Sequence, residues 1–222
     1  RKEQDYYALA SHQKAEEAYL NGLFEDQIVP ITVKQKKSEY LVDKDECIRA
    51  DSNLESLSKL KAVFKKGGSV TAGNSSPMND GSSTILVVSE AFVKKHNLNP
   101  ILKIIGGSVA GMDPSYMGLG PVEATNKFFK RNGLSVNDFD TFELNEAFAV
   151  QVLACSKELN ISMDKINPWG GAISIGHPLG ASGARLITHL LHQFRKNSKL
   201  KKGLASMCVG VGQGITLGVE RA

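Results

Sequence analysis

The chain has 222 residues, of which 27 are basic and 23 are acidic, so its formal net charge is +4. Hydrophobic residues make up 41% of it, as in a globular protein, and no apolar run approaches the ~20 residues that a bilayer crossing needs. The small, dispersed charge excess gives no argument for nucleic-acid binding, and three cysteines exclude a disulfide scaffold and indicate a reducing compartment, which we expect to be the cytoplasm.

The first residues are predicted to form a helix that is already under way at Arg1. Residues 3–21 carry small apolar side chains at helical spacing, and Gly22 is a plausible terminator. Because no initiator Met precedes this helix, we expect the chain to be a piece of a longer polypeptide. A short strand is predicted at residues 28–33, in an edge position because Pro30 interrupts it.

A second helix is predicted to begin near residue 52. Ser52 and Glu55 match a capping box at its start, and the glycine pair that begins at Gly67 would end it. Its apolar stripe would consist of Leu54, Leu57, Leu60 and Phe64. A boundary at residues 62–68 separates this small polar part from the remainder of the chain.

Predicted strands and helices alternate from residue 85 onward. The strands are predicted at residues 85–88, 101–105, 139–144, 204–208 and 215–219. The helices are predicted at residues 91–96, between Pro121 and Gly133, and at residues 147–159 and 183–194. This alternation predicts an α/β fold with a largely buried sheet, which the hairpin of the last two strands makes mixed.

The sharpest motif is WGGAISIGHPLGASGAR at residues 169–185. Pro178 pushes the backbone of His177 toward extended geometry, and the small residues around it let a ligand approach the backbone closely. A neutral imidazole held in this way can take a proton from a thiol or donate to a developing oxyanion. A histidine that is simply satisfied in a tight turn is the alternative, but a turn alone does not need this density of glycine.

The second motif, ELNEAF at residues 143–148, lies at a predicted strand-to-helix junction. Asn145 and Glu146 follow the carboxyl end of the strand, where α/β sheets commonly bind ligands. Asn145 could instead be a helix N-cap. Taken together with His177, a role of Asn145 in orienting a water molecule competes with the role of N-cap.

The third motif is MCVGVGQG at residues 207–214. Cys208 is predicted at a strand end, where the N–H groups of the glycine-rich turn would favour its thiolate. A buried core cysteine is the alternative, and we assign that reading to Cys47 and Cys155. No pair of cysteines has metal-ligand spacing. Two histidines lie three residues apart on a predicted helix, but we interpret them as core or surface residues and predict no metal site: they are His189 and His192.

These three motifs, in this order, resemble the thiolase family. The segment VTAGNSSPMNDG at residues 70–81 and SYMGLGP at residues 115–121 also match, so the resemblance covers nearly the whole chain. It implies a thiolase-like α/β fold with a mixed sheet and helices on both faces. It further implies the end of a helical lid domain at residues 1–66, the last segment of a first core half at 67–97, and a complete second core half at 98–222.

The resemblance implies acyl transfer between CoA thioesters, which are substrates, with no cofactor. Two acetyl-CoA molecules would condense to acetoacetyl-CoA and CoA in a ping-pong Claisen reaction. His177 would activate a nucleophilic thiol and help to bind the thioester oxygen, and Cys208 would be the acid/base cysteine. Asn145 would hold a water in one oxyanion hole, and the Gly210 N–H would contribute to the other.

The resemblance also implies a set of residues that bind CoA. These are Arg49, Ser56, Ser76, Met117, Ala147 and Phe148. Arg49 would lie near the adenine end and Ser76 at the pantetheine arm, whereas Met117 and Phe148 would line the acyl channel. The alternatives are a solvated charge at Arg49 and plain core packing at Met117 and Phe148.

The sequence departs from the family in one respect, because neither Cys47 nor Cys155 has the Cys-Ser-Ser/Ala context of the nucleophile. We therefore expect that most of the first core half is missing, that the isolated chain is inactive, and that it exposes an apolar surface where this half would pack. The expected partners are this missing half, a CoA thioester and a second copy of the protein in a homodimer or homotetramer.

Four other functions are considered beside acetyl-CoA C-acetyltransferase. A degradative 3-ketoacyl-CoA thiolase of broader chain length shares the same motifs. A ketoacyl synthase would carry a second histidine where Cys208 lies, and a non-catalytic thiolase-like lipid carrier would have lost His177 or Cys208. A nucleotide-binding module lacks support because no phosphate-loop spacing occurs.

Overall fold

The computed structural model describes all 222 residues, Arg1–Ala222. The helices are α1 (Lys2–Leu20), α2 (Leu54–Ser58), α3 (Glu90–His96), α4 (Gly120–Asn132), α5 (Ala149–Leu159), α6 (Ala172–Ile175) and α7 (Ser182–Lys196). The strands are β1 (Ile31–Lys34), β2 (Glu39–Val42), β3 (Leu102–Gly111), β4 (Thr141–Leu144), β5 (Lys202–Val209) and β6 (Gln213–Arg221). The α/β fold is therefore confirmed.

The main sheet has four strands in the order β3-β6-β5-β4. Strands β5 and β6 form the predicted antiparallel hairpin, and β3 pairs antiparallel with β6. Only β4 runs parallel to its neighbour, with Leu144 opposite Ser206, so the sheet is mixed as predicted. This parallel pair brings the carboxyl ends of β4 and β5 to the same edge of the sheet.

Helices cover both faces of this sheet. Leu204 and Gly218 pair across β5 and β6 and face Phe128 of α4, and α5 adds to the same cluster. Because side chains alternate along a strand, Gly203 points to the opposite face, where Leu190 of α7 packs against it. The expected two-sided cover is confirmed for the part of the sheet that carries β4 and β5.

Helix α1 packs against the core of the α/β part. Its Tyr7 and Ala8 belong to the principal hydrophobic cluster, together with residues of α4, α5 and β4. The N-terminal helix is thus an integral support of the fold, although it precedes the predicted boundary at residues 62–68. The division at residues 66 and 97 stays a prediction.

The second predicted helix is wrong in its start and in its length. The N-cap is Asn53, whose side chain accepts a hydrogen bond from the Ser56 N–H at 2.9 Å, so the capping box lies one residue later than Ser52 and Glu55. The helix also ends at Ser58. Phe64 is 72% exposed and rests edge-on against Phe148, because the chain leaves the helical path before reaching it.

The predicted buried strand at residues 85–88 is also wrong for this chain. Leu86 is 83% exposed, and the backbone of residues 82–88 makes no hydrogen bond within the chain. A strand needs a neighbour to accept its backbone groups, and no strand of these 222 residues lies beside it. Val109 and Ile215, which pair across β3 and β6, are exposed as well, so the expected apolar surface is present.

Most of the other helices and strands lie close to their predicted positions, but β3 continues through Gly106 and Gly107 to Gly111, and β2 was not predicted. Helix α4 has Pro121 in its first turn and ends at Gly133 with a positive φ of 62°, as the sequence predicts. The two closely spaced histidines of α7 are buried: His189 lies 3.6 Å from a carboxylate oxygen of Glu143. None of the helices combines the length and the apolar composition that a membrane crossing requires.

Candidate active site

Two of the predicted catalytic side chains are in contact at the carboxyl edge of the sheet. The Nδ2 atom of Asn145 lies 3.2 Å from Nε2 of His177, although 32 residues separate them in sequence. Helix α5 begins at Ala149 with Phe148 as its N-cap, so the N-cap alternative for Asn145 is wrong. The Oδ1 atom of Asn145 is buried without a partner in the chain, so it can accept a hydrogen bond from a water or a substrate group.

The loop that carries His177 is held from three sides. The His177 N–H donates to Oδ1 of Asn79 at 2.7 Å, and Nη1 of Arg185 donates to the Gly176 carbonyl at 2.6 Å. Gly176 has a φ of 95°, and a Cβ there would lie 2.5 Å from the Asn79 side chain. On the ring itself, Nδ1 lies 2.6 Å from the hydroxyl of Ser182.

The surroundings of His177 favour its neutral form. Burial lowers the pKa of the imidazole below its ordinary value, and the nearby Arg185 guanidinium lowers it further. Folding therefore opposes protonation of this ring, and the neutral imidazole is the state that can accept a proton near pH 7.

Cys208 lies near the end of β5, at the same sheet edge as Asn145. The N–H of Asn145 donates to the Ser206 carbonyl at 2.9 Å, two residues before Cys208. Burial raises the pKa of Cys208 and its own backbone N–H offsets this only in part, so the surroundings favour the thiol over the predicted thiolate. Cys208 is 7% exposed.

The turn after Cys208 presents a free backbone donor. The Gly210 N–H makes no hydrogen bond within the chain and is exposed. Gly212 is fixed in place, since it has a φ of 78° and a Cβ would lie 2.5 Å from the Met112 carbonyl oxygen. The fixed turn leaves the Gly210 N–H available to an oxyanion.

Glu146 anchors the loop that carries Asn145. Its carboxylate is 1% exposed and accepts four hydrogen bonds from three other parts of the chain. The donors are the Tyr7 hydroxyl at 2.6 Å, the Ser11 hydroxyl at 2.8 Å, Nδ2 of Asn167 at 2.9 Å and the Ile173 N–H at 3.0 Å. Tyr7 and Ser11 belong to α1, so this carboxylate links the N-terminal helix to the site.

Replacing Glu146 with Gln is expected to destabilise the protein by roughly 2–3 kcal/mol, because an amide N–H₂ would face the Tyr7 hydroxyl and the Ile173 N–H, which donate to no other group. The rate of any reaction that uses Asn145 should fall too, because Glu146 holds the loop that carries this side chain. Thermal unfolding measures the first effect. Glu17→Gln, on the exposed side of α1, is the matched control and should change neither quantity. An unchanged unfolding midpoint for Glu146→Gln would contradict this account.

A pocket of about 610 Å³ collects part of the predicted CoA-binding set. Arg49 and Ser56 line it, together with His12 and Cys47. The assignment of Cys47 to the core is therefore wrong, whereas Cys155 is a buried core residue as predicted, and burial raises its pKa to about 12. The hydroxyl of Ser56 is also used in the cap of α2, where it donates to the Asn53 carbonyl at 2.8 Å.

Ser76 connects this pocket to the catalytic edge. Its neighbours Ser75 and Pro77 line the pocket, and its N–H and hydroxyl both bond the Ala147 carbonyl, at 3.1 and 3.3 Å. Ala147 is two residues from Asn145, so the loop that contacts the His177 imidazole is bonded to the segment that lines the pocket. Phe148 and Met117 are partly buried outside the lining of this pocket, so the structure does not bring them to Arg49.

The sequence interpretation missed three supporting side chains. Asn79, Ser182 and Arg185 lie within the quoted motifs, but their contacts with the loop of His177 depend on tertiary structure. Arg185 had the strongest signal, because a guanidinium that is buried in a run of small residues needs nearby acceptors.

Comparisons with known proteins show which family the chain resembles. The thiolase C-terminal domain model matches residues 98–221, and the thiolase N-terminal domain model matches residues 1–91. The chain is 51% identical to a β-ketoadipyl-CoA thiolase of Pseudomonas knackmussii and 48% identical to a probable acetyl-CoA acyltransferase of Staphylococcus aureus. All of the chain is covered in both cases, but only 55% and 56% of these relatives, so it spans about half of their length.

Solved structures give the same result. The structure is similar to the crystal structure of the Bacillus anthracis acetyl-CoA acetyltransferase, with a TM-score of 0.97 and 46% identity. It is similar to human mitochondrial 3-ketoacyl-CoA thiolase with a TM-score of 0.92 and 43% identity. Each match covers all of this chain and 56% of the other chain. The chain belongs to the thiolase family.

Proposed function

We propose that the protein that contains this chain condenses two acetyl-CoA molecules to acetoacetyl-CoA and CoA, and catalyses the reverse thiolysis. The contact between Nε2 of His177 and Asn145, at the sheet edge where Cys208 also lies, is the observation that carries this proposal. A proton acceptor, a hydrogen-bonding amide and a second thiol are the groups that such a reaction needs beside the nucleophile.

In the proposed first half-reaction, a nucleophilic thiol outside these 222 residues gives its proton to Nε2 of His177. The resulting thiolate attacks the thioester carbonyl, and the C–S bond to CoA breaks. Cys208 gives its proton to the leaving CoA sulfur, a role that suits a thiol whose pKa is raised by burial. This transfer leaves Cys208 as the thiolate.

In the proposed second half-reaction, the Cys208 thiolate removes an α-proton from acetyl-CoA. The carbanion attacks the acyl-enzyme, and the nucleophile departs with the proton that His177 held. The enolate forms only if donors stabilise its oxygen, and one such donor is worth about 3–4 kcal/mol. A water held by Oδ1 of Asn145 is the proposed donor in one oxyanion hole, and the free Gly210 N–H is the proposed donor in the other.

A degradative thiolase that acts on larger 3-ketoacyl-CoA substrates is the second candidate. It is favoured by the name of the relative at 51% identity, a β-ketoadipyl-CoA thiolase. The two candidates use the same catalytic groups and differ in the acyl channel. Comparing kcat/KM for acetoacetyl-CoA with that for a dicarboxylic 3-ketoacyl-CoA discriminates between them. A non-catalytic carrier is disfavoured because His177 and Cys208 are both present.

The test mixes the full-length protein with acetoacetyl-CoA and CoA and follows the loss of the ketoacyl absorbance. We expect turnover by the full-length protein and none by the isolated 222-residue chain, which lacks the nucleophile. Cys208→Ser should abolish exchange of the acetyl α-protons with solvent deuterium, whereas Cys155→Ala, in the core, should retain it. Turnover by the isolated chain, or exchange by Cys208→Ser, would refute this mechanism.

A further inference from the structure

The first residue of α7 contacts the ring of His177 on the side away from Asn145. The Ser182 hydroxyl lies 2.6 Å from Nδ1 of His177 and donates to the Pro178 carbonyl at 3.0 Å. Ser182 is completely buried. Its hydrogen bonds are therefore made within the protein and not with bulk water.

The single hydroxyl proton of Ser182 decides which ring nitrogen of His177 carries hydrogen. Serine hydroxyls in helices can donate to the carbonyl four residues earlier, which here is that of Pro178. This carbonyl also accepts the N–H groups of Ala181 and Ser182, at 2.8 and 2.9 Å. With its proton used there, the Ser182 oxygen can only accept from Nδ1, so Nδ1 carries the ring proton. On the other side, Nδ2 of Asn145 is a donor that faces Nε2, so both contacts agree on a lone pair at Nε2.

We propose that Ser182 is a positioning residue that holds neutral His177 as the tautomer with hydrogen on Nδ1, so that the lone pair of Nε2 faces the reaction space. Its part in catalysis rests on the proposed function. The tautomer itself does not, because it follows from the contacts of Ser182, Pro178 and Asn145 alone.

A fixed tautomer matters because only a ring nitrogen with a lone pair can take a proton. If Nε2 carried hydrogen, the nucleophilic thiol would meet a donor and could not be deprotonated there. Burial and the Arg185 guanidinium favour the uncharged ring, so its single proton must be on one nitrogen or the other.

The first test reads the tautomer directly in the full-length wild-type protein. With ¹⁵N-labelled histidine, NMR at neutral pH distinguishes a ring nitrogen that carries hydrogen from one that has a lone pair. We expect Nδ1 of His177 to carry hydrogen and Nε2 to have the lone pair, with His177→Gln used to assign the signals. The opposite tautomer would overturn the proposal without any variant of Ser182.

The second test removes the Ser182 hydroxyl, which is the proposed acceptor for the hydrogen on Nδ1 of His177. In Ser182→Ala we expect the NMR signals of both tautomers, a fall in kcat of about 10- to 100-fold, and little change in KM. Ser182→Thr keeps the hydroxyl and should restore most of the loss. Thr188→Ala removes a hydroxyl that bonds the Ala184 carbonyl on the same helix without touching His177, so it should change neither signal nor rate.

The outcomes separate this inference from the proposed function. An unchanged tautomer in folded Ser182→Ala would overturn the positioning role even if thiolysis is normal. Absence of thiolysis in the wild type, together with the expected tautomer, would remove the proposed reaction and leave the assignment of the ring proton intact.

Discussion

Replacing His177 with Ala is expected to lower kcat/KM of the full-length protein about 10³-fold, measured as thiolysis of acetoacetyl-CoA, because general base catalysis by a positioned side chain contributes roughly 10²–10⁴-fold. The loop should keep its fold, since the contacts of Asn79 and Arg185 are made to backbone atoms of His177 and Gly176. Circular dichroism with the same unfolding midpoint as the wild type would separate lost chemistry from lost structure.

The rate of this reaction should fall as the pH is lowered. Because the folded protein lowers the pKa of His177, the base is active at neutral pH and is lost only as the pH falls below its ordinary pKa of about 6.5. His96→Ala, at the exposed end of α3, is the matched control and should leave the profile unchanged. Retention of most activity by His177→Ala would refute the assigned role.

Gly214→Ala is expected to destabilise the protein by roughly 3 kcal/mol or more, because a Cβ at this position would overlap the Gly120 carbonyl. Strand β6 and the start of α4 touch here through their backbones, so no side chain can move aside. The clash would force α4 away from the sheet. Soluble yield and the thermal unfolding midpoint should both fall sharply.

Gly210→Ala in the same motif is the control for this prediction. A Cβ there would meet no atom within 4 Å, so its unfolding midpoint should be close to that of the wild type. Alanine keeps the backbone N–H, and the proposed oxyanion donor is retained. Equal midpoints for Gly214→Ala and Gly210→Ala would contradict the close contact between β6 and α4.

Local signals account for the parts of the fold that were predicted correctly. Helix α4 was bounded by Pro121 and Gly133 because each acts within one helical turn. The hairpin of β5 and β6 follows from apolar runs on either side of a glycine-rich turn. The predicted strand at residues 85–88 was wrong for a non-local reason: an apolar run indicates burial, but only a neighbouring strand can provide it.

The candidate site was likewise predicted only in part from local signals. The motifs around Asn145, His177 and Cys208 identify residue types whose chemistry suits a thioester. They do not contain the distances that decide what those residues can do. The Cys208 thiol illustrates this, since its glycine-rich neighbours suggest a thiolate but burial on the sheet raises its pKa.

By itself, the sequence determined the α/β class, the family and the chemical groups at the site, because these depend on short motifs and on local backbone preferences. Only the tertiary structure decided that Glu146 links α1 to the loop of Asn145 and that Ser182 and Asn79 hold His177. Asn79 and His177 are 98 residues apart in the chain, and local pattern carries no information about such a separation.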